Sequence, residues 1–343
     1  MRLRQVITVI GVHAEGEVGR VITGGVIAPR ARSMFECQQS LQRDQDWLRG
    51  MLLSDPRGSV NAAVNLVTPP ISAEADVGLI VIEADYYPPM SGSNLMCTVT
   101  AVLETGMLPM IEPVTFLCVD TPAGLVRVKA ECAGGKCRRV SFSNVPSFVL
   151  HRERPVEVLG LGTIVVDVAY GGMIYVIVSS EGLGFTLARS EARSLVEMGE
   201  RIKQAAAEQL PSVHPANPGI HTINQTLFAG PLSVQDGIKS AKNAVVVSPG
   251  RIDRSPCGTG SSARMALMHA RGELAVGEPF KHYSILDTVF ECGIEATTTV
   301  CNVEAVVTNV GGRAWLTGVS YYGADPEDPF PNGYRLNDTW LSC

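Results

Sequence analysis

The strongest constraint on the fold is one local pattern that occurs twice, about half a chain apart. Ser91-Gly92-Ser93-Asn94 follows the Val/Ile run 77–82 and precedes a helix-forming segment, Leu95 to Glu104, that stops at Gly106. Cys257-Gly258-Thr259-Gly260 follows Ala244 to Val247 and precedes Met265 to Arg271, which stops at Gly272. Each stop lies 15 residues after the residue that opens the turn, and Leu108 and Leu274 keep the register at 17. Ser91 and Cys257 are 166 residues apart in a chain of 343. Glycine just beyond the last periodic residue is a helix-end signal, and self-similarity at a fixed offset predicts two copies of one structural unit. A weaker echo sets Arg20 to Val26 against Asp167 to Met173. Two similar lobes facing each other would bring two helix N-termini and two small polar side chains to one cleft.

The second copy carries the chemistry. Arg251-Ile252-Asp253-Arg254-Ser255-Pro256-Cys257-Gly258-Thr259-Gly260 runs from a strand through a glycine-rich turn into a helix start. The free N–H groups of a helix N-terminus can hold an anion, and its dipole favours the thiolate of a nearby cysteine. Cys257 is therefore expected to be a base of lowered pKa, with Gly258 and Thr259 gripping a carboxylate. Ser91 caps its own helix or, as the counterpart of Cys257, faces the cleft; the repeat favours the second. Asp253 caps its own turn or accepts a hydrogen bond from a substrate ammonium, and the residues leave both open.

Elsewhere the pattern is β-rich. Val6–Val12, Arg20–Ile27, Val77–Ile82, Gly162–Val168, Met173–Val178 and Ala244–Val247 read as strands, and 114–140 as a meander. Arg43–Met51 reads as a helix, and Ser190–Gln209 as an amphipathic one, with Leu195, Met198, Ile202 and Ala206 at helical spacing. The charged, Pro-containing segment His151 to Pro155 suggests a connector. Residues 1–150, completed by 320–343, would then form one lobe and 151–319 the other.

Composition closes off several classes of function. Hydrophobic residues are 45% and charged residues 18%, enough for buried cores without global disorder. A net charge of −6 with no basic block argues against nucleic acid or an anionic membrane as partner. Nine cysteines, an odd and scattered set, fit reduced thiols in the cytoplasm better than a disulfide framework. The N-terminus, Met1-Arg2-Leu3-Arg4 and then Val6–Val12, imitates a signal peptide but lacks a small-residue cleavage pattern, so a first strand is expected. No run approaches the roughly 20 apolar residues of a membrane span.

Competing motifs are weaker. Gly258-Thr259-Gly260-Ser261-Ser262-Ala263 fits the dinucleotide pattern, but ten residues with two prolines separate it from Val247. Cys132 and Cys137 flank a Gly-Gly turn and read as a hairpin, without a second pair to make a metal site. None of the six histidines shows ligand spacing or a hydrolytic partnership with Cys257.

Asp253 to Gly260 resembles the second active-site motif of the proline racemase family, which includes 4-hydroxyproline epimerases and trans-3-hydroxy-L-proline dehydratases. His13-Ala14-Glu15-Gly16-Glu17, Asn144 to Phe148, Ala169 to Gly172 and Gly312 to Gly318 extend the resemblance through most of the chain. It implies an α/β fold like diaminopimelate epimerase: two pseudo-symmetric lobes, each with strands wrapped around a central helix, and the active site in the cleft between them. It also implies no metal, pyridoxal phosphate or nucleotide cofactor. In such enzymes two cysteines flank the α-carbon, one removing and one returning its proton. The resemblance makes Cys257 the second of these. It places Gly92, Ser93, Gly258 and Thr259 at the substrate carboxylate and Asp253 at the ring nitrogen.

The chain departs from the family in its first motif, usually Met-Cys-Gly-His and here Met90-Ser91-Gly92-Ser93. A serine hydroxyl is a far weaker acid than a thiol and needs an adjacent base to act as one. Two-base racemisation needs competent groups on both faces, whereas elimination of a 3-hydroxyl needs one strong base and a group that helps hydroxide leave. The expected activity is dehydration of trans-3-hydroxy-L-proline to pyrroline-2-carboxylate, a hydro-lyase reaction. Family dehydratases, however, typically keep the first cysteine and replace the second by threonine. The alternative is a 4-hydroxyproline 2-epimerase, an isomerase, or one enzyme with both activities; a binding protein that has lost catalysis is the non-enzymatic reading. The expected partner is a small imino acid, with a homodimer as the expected assembly.

Overall fold

The computed structural model describes residues 3–339; Met1, Arg2 and Cys343 and the end of the 320–343 segment lie outside them. The chain divides into two compact units, Met1–Phe142 with Gly312–Cys343, and Ser143–Gly311.

The first unit contains β1 (Arg4–Ala14), β2 (Glu17–Gly24), α1 (Met34–Asp44), α2 (Trp47–Leu53), β3 (Ala62–Thr68), β4 (Val77–Ile82), α3 (Gly92–Glu104), β5 (Val114–Thr121), β6 (Gly124–Ala133) and β7 (Lys136–Ser143), with the last strand of the chain, β18 (Ala314–Ala324). β1 lies antiparallel to β18 and β2, β2–β3 is parallel, β3–β4 antiparallel, β4–β5 parallel and β5–β6 antiparallel. The helix α3 packs against β1, β2, β3, β4 and β18. Its residues 92–103 are all buried, so no face of it reads as amphipathic. Thr98 enters this apolar setting by donating its hydroxyl to Asn94 O at 2.8 Å.

The second unit contains β8 (Ser147–Val158), β9 (Gly162–Tyr170), β10 (Ile174–Ser179), α4 (Ala192–Gln209), β11 (Gln225–Ala229), β12 (Ser233–Gln235), β13 (Ile238–Val247), β14 (Arg251–Ile252), α5 (Gly258–Ala270), β15 (Pro279–Tyr283), β16 (Val289–Val300) and β17 (Val303–Gly312). Its pairing repeats that of the first unit: β8–β9 and β9–β10 antiparallel, β10–β11 parallel, β11–β13 antiparallel, β13–β15 parallel and β15–β16 antiparallel. β16–β17 and a short β17–β8 pairing close these strands into a ring. α5, buried from Gly258 to Met268, packs on β8, β9, β10 and β16. The two units are thus the same strand order wrapped around the same 13-residue helix.

Both central helices end at a left-handed glycine, Gly106 (φ +74°) and Gly272 (φ +72°), as the repeat predicted. Their starts differ from expectation. α3 begins three residues before Leu95, and α5 begins seven before Met265. Gly-Thr-Gly-Ser-Ser has poor helix propensity, and burial overrides it. The weaker echo does not mark equivalent positions. Arg20–Val26 covers the end of β2, whereas Asp167–Met173 covers the end of β9 and the turn into β10. The topological counterpart of that turn is Glu15-Gly16, between β1 and β2.

Two other readings change, and a third holds. Arg43–Met51 is divided between α1 and α2, broken at Gln45-Asp46, and α1 starts at an N-cap Ser33 that accepts from Glu36 N. His151–Pro155 is not a loop but lies inside β8, at a register shift opposite β9. Val6–Val12 is strand, inside β1. The β6–β7 hairpin around Gly134-Gly135 and the amphipathic α4, with Leu195, Ile202 and Ala206 buried, are as the periodicity predicts. Among the described residues no helix is long and apolar enough to cross a membrane.

Candidate active site

At the start of α5, backbone and side chains fix one strained residue. β14 folds back on β13, with Val246 opposite Ile252, and Asp253 N continues to Val245 O at 2.9 Å. Asp253 Oδ1 then accepts from Ser255 N (2.8 Å) and Ser255 Oγ (2.9 Å), an Asx-type turn. Ser255 Oγ in turn accepts from Cys257 N at 3.1 Å. Pro256 O is held by Asn243 Nδ2 at 2.9 Å and Ser261 Oγ at 3.3 Å. Between these anchors Cys257 adopts φ 63°, ψ 103°. Such a conformation costs a non-glycine residue about 1–3 kcal/mol and persists only where its surroundings over-determine it.

The strain aims the thiol at a hydroxyl pair. Cys257 Sγ lies 3.3 Å from Tyr175 Oη of β10 and 3.9 Å from Thr259 Oγ1, and the two oxygens are 2.6 Å apart. Cys257 is only 4% exposed. Burial pushes its thiol well above the ordinary range, and the Asp253 charge pushes the same way. Tyr175, the Gly260 N–H and Thr259 pull it down without prevailing. The expectation of a lowered pKa therefore fails: desolvation of the charged form outweighs the hydrogen bonds that reach the sulfur. The first-turn amides of Gly258 and Thr259 have no intrahelical acceptor and remain available to an anion. Gly260 leaves room for the sulfur, since a Cβ there would lie 3.0 Å from Cys257 Sγ.

A buried chain of hydrogen bonds supports this turn from behind. Arg264 Nη1, which also donates to Lys242 O at 3.1 Å, lies 3.3 Å from His282 Nε2, and His282 Nδ1 lies 2.7 Å from Ser261 Oγ. Because arginine can only donate, the imidazole proton is assigned to Nδ1, so Ser261 accepts it and passes its own to Pro256 O. Burial and the neighbouring Arg264 charge hold His282 well below the usual imidazole range, and burial draws Arg264 down to about 10. The first turn of α5 also packs on the β9–β10 turn. Asn144 Nδ2 donates to Gly171 O (2.7 Å) and Ser262 Oγ (2.8 Å). A Cβ on Gly171 would stand 2.2 Å from Thr259 O.

At the start of α3, Ser91 is extended (φ −145°, ψ 122°), and its hydroxyl does not cap the helix. Asn94 Nδ2 instead donates to Ser91 Oγ at 2.9 Å, and Asn65 Nδ2 of β3 donates to Asn94 Oδ1 at 3.0 Å. Ser91, Gly92, Ser93 and Asn94 are all buried. Gly19 of β2 makes room for the amide pair, since a Cβ there would lie 2.8 Å from each of Asn65 Nδ2 and Asn94 Oδ1. The Ser91 hydroxyl thus takes a hydrogen bond on its lone pair from an amide, not a base, and keeps its own proton to donate. Cys97, further along α3, is pushed up by burial and then by Glu17.

The fold therefore gathers Asp253, Cys257, Gly258 and Thr259 at one helix start and Ser91, Gly92 and Ser93 at its counterpart. Sequence reasoning missed three contributors: Tyr175, Ser255 and Asn94. Ser255 was legible as the second residue after an aspartate before a helix. Tyr175 sits in the part of β10 that is buried throughout, Ile174 to Val178, where its hydroxyl is the one polar side-chain group, and periodicity assigns it to core. Among the described residues no group of three or more His, Cys, Asp or Glu side chains is placed to hold a metal ion. A cavity of about 800 Å³ lies against the far half of α5, lined by Ala266, His269 and Ala270, and includes none of the residues above.

Against known proteins, the proline racemase family matches residues 9–335. A hydroxyproline epimerase from Agrobacterium vitis, solved with bound trans-4-hydroxy-L-proline, is 36% identical, covers 99% of this chain and 97% of its own, and superposes with a TM-score of 0.94. A probable proline racemase from Agrobacterium radiobacter K84, solved with bound carbonate, is 38% identical, with coverage of 97% and 98% and a TM-score of 0.92. A phenazine biosynthesis protein of the PhzF family from Bacillus anthracis shares the fold at 11% identity and a TM-score of 0.57, covering 94% of this chain and all of its own. The chain belongs to the proline racemase family, and its fold is the mixed α/β, strand-dominated one of that family.

Proposed function

We propose that this member of the family removes the α-proton of a hydroxyproline with Cys257. The observation that carries the reading is the strained, buried Cys257 at the start of α5, held against Tyr175 and Thr259 and beside Asp253. In this reading the substrate carboxylate lies at the first-turn amides of Gly258 and Thr259, with Gly92 and Ser93 at the same group, and the cationic ring nitrogen pairs with Asp253. That pairing cancels the charge that disfavours the thiolate. The base then forms where a substrate is present and stays neutral otherwise.

Two outcomes follow from one carbanion-like intermediate. The setting of Ser91 supports elimination. Thiolate takes the C2 proton, the C2–H electron pair becomes the C2–C3 double bond, and the C3–O bond breaks. A hydroxyl that keeps its own proton to donate, as that of Ser91 does, would stabilise the departing hydroxide, which becomes water on protonation. The enamine tautomerises to pyrroline-2-carboxylate. The relatives support the other outcome more strongly: the 36% identical Agrobacterium vitis protein is a hydroxyproline epimerase with bound trans-4-hydroxy-L-proline. For epimerisation at C2 of 4-hydroxyproline, Ser91 would have to return a proton to the opposite face, a harder task for an alcohol.

NMR in deuterated water with proline and the 3- and 4-hydroxyproline stereoisomers separates the two. Water loss from trans-3-hydroxy-L-proline, with a product that a reductase and NADPH consume, supports dehydration. Deuterium at C2 of 4-hydroxyproline with inversion supports epimerisation. Binding without any exchange rejects both, as does exchange that survives Cys257→Ala.

A further inference from the structure

The peptide plane between Pro256 and Cys257 is held at both ends. Cys257 N donates to Ser255 Oγ at 3.1 Å, and Pro256 O accepts from Asn243 Nδ2 at 2.9 Å and from Ser261 Oγ at 3.3 Å. The following plane is tied down where Cys257 O accepts from Ser261 N at 2.8 Å. Peptide units are rigid and planar, so fixing the two that flank Cys257 fixes its φ and ψ. The least secure of these ties is the Ser261 hydroxyl, because its proton has a second place to go. His282 Nδ1 is 2.7 Å away, nearer than Pro256 O.

The imidazole decides which way that proton points. With the ring proton on Nε2, Nδ1 is a lone pair; the Ser261 hydroxyl donates to it and leaves Pro256 O to Asn243 alone. With the ring proton on Nδ1, Ser261 accepts from His282, and its own proton is free for Pro256 O. Arg264 selects between the two. Its guanidinium is fixed by donating to Lys242 O and Gly230 O, and its Nη1 faces His282 Nε2 at 3.3 Å. A guanidinium cannot accept, so a proton on Nε2 would set donor against donor around a fully buried ring.

We propose that Arg264 and His282 are positioning residues: Arg264 locks the Nδ1–H tautomer, and that tautomer leaves the Ser261 proton to hold Cys257 in its strained conformation. The inference rests on Cys257 being the catalytic base and adds what keeps it aimed.

Long-range proton–nitrogen NMR correlation of the full chain reads the tautomer, with the His282 signals assigned by their absence in His282→Gln. Nδ1 is expected to be the protonated nitrogen in the parent protein, and a protonated Nε2 overturns the proposal. Amide exchange of the segment Arg254 to Ser262, followed by mass spectrometry, reads the turn. Ser261→Ala is expected to speed that exchange by about 2- to 10-fold, the worth of one hydrogen bond to a backbone carbonyl. His282→Gln keeps an acceptor for Arg264 and removes the nitrogen that competes for the Ser261 proton, so exchange is expected to stay close to the parent rate. Arg264→Met is expected to shift the ring towards Nε2–H and to speed exchange as Ser261→Ala does. Adding His282→Gln to Arg264→Met is expected to bring the rate back towards the parent, a rescue that a packing role for Arg264 would not give. Exchange as fast in His282→Gln as in Ser261→Ala overturns the proposal, as does a double variant no slower than Arg264→Met. Should Arg264→Met fail to fold, the parent tautomer and the contrast between Ser261→Ala and His282→Gln decide. Neither reading needs turnover, so a substrate panel that shows no reaction rejects the function above without touching this result.

Discussion

Gly171→Ala tests whether the packing of the β9–β10 turn sets the position of α5. An added methyl would stand 2.2 Å from Thr259 O and 2.5 Å from Ala263 N, both backbone atoms of α5. Neither is the end of a flexible side chain, so relief to an ordinary contact requires a backbone shift of about 1 Å. The turn cannot easily yield, because Asn144 ties Gly171 O to Ser262. Overpacking of this kind costs about 1–3 kcal/mol, which for a cooperative unit of this size lowers the melting temperature by roughly 2–12 °C. The larger effect falls on chemistry. Displacing the first turn of α5 moves Thr259 and the thiol, and a misplacement of about 1 Å can cost about 100-fold in rate. Solvent-deuterium exchange at the α-carbon, measured beside thermal melting, reads both. Exchange within a few-fold of the parent, with an unchanged melting temperature, would refute the claim that this contact positions the site.

Three further outcomes are expected. Asp253→Asn removes the charge that raises the Cys257 thiol, so the pH midpoint of iodoacetamide alkylation at Cys257 should fall in the free protein. Alkylation at neutral pH should then quicken, by about tenfold if the midpoint drops by about 1 in pH, while the KM for the imino acid rises. An unchanged alkylation rate would contradict the role given to that charge. Asn94→Ala releases Ser91 and leaves Asn65 without its partner, costing about 1–3 kcal/mol; loss of water from the 3-hydroxy substrate should fall more than α-proton exchange, and equal losses would remove Ser91 from the leaving-group step. His282 is held neutral in the folded chain, so the unfolded chain binds one more proton below the ordinary imidazole pKa. Stability should therefore decline as pH falls through about 6.5, by at most about 1.4 kcal/mol for each step of about 1 in pH. Urea midpoints at several pH values should show that slope flattening in His282→Gln.

The repeat that begins at Ser91 and Cys257 was enough to place two equivalent helices, because turn glycines and helix-end glycines are local requirements of the backbone. Strand runs of Val and Ile were legible for the same reason, as was the Asp253-to-Gly260 motif. The start of α5 was not, since Gly258 to Ser262 are poor helix formers and become helical only because β8, β9, β10 and β16 bury them. The ionisation of Cys257 was misjudged for a related reason: a helix dipole can be read from a sequence, but desolvation by residues far along the chain cannot. Tyr175 lies 82 positions from Cys257 and looks like any core aromatic. By itself the sequence determined the architecture, the family and which residues carry reactive groups, all of which depend on neighbours along the chain. Only the tertiary structure decided that Asn94 donates to the Ser91 hydroxyl, that burial pushes the Cys257 thiol up and that Tyr175 stands over it. Protonation and hydrogen-bond direction depend on which atoms are excluded from water and which face one another, and those pairings exist only once distant segments meet.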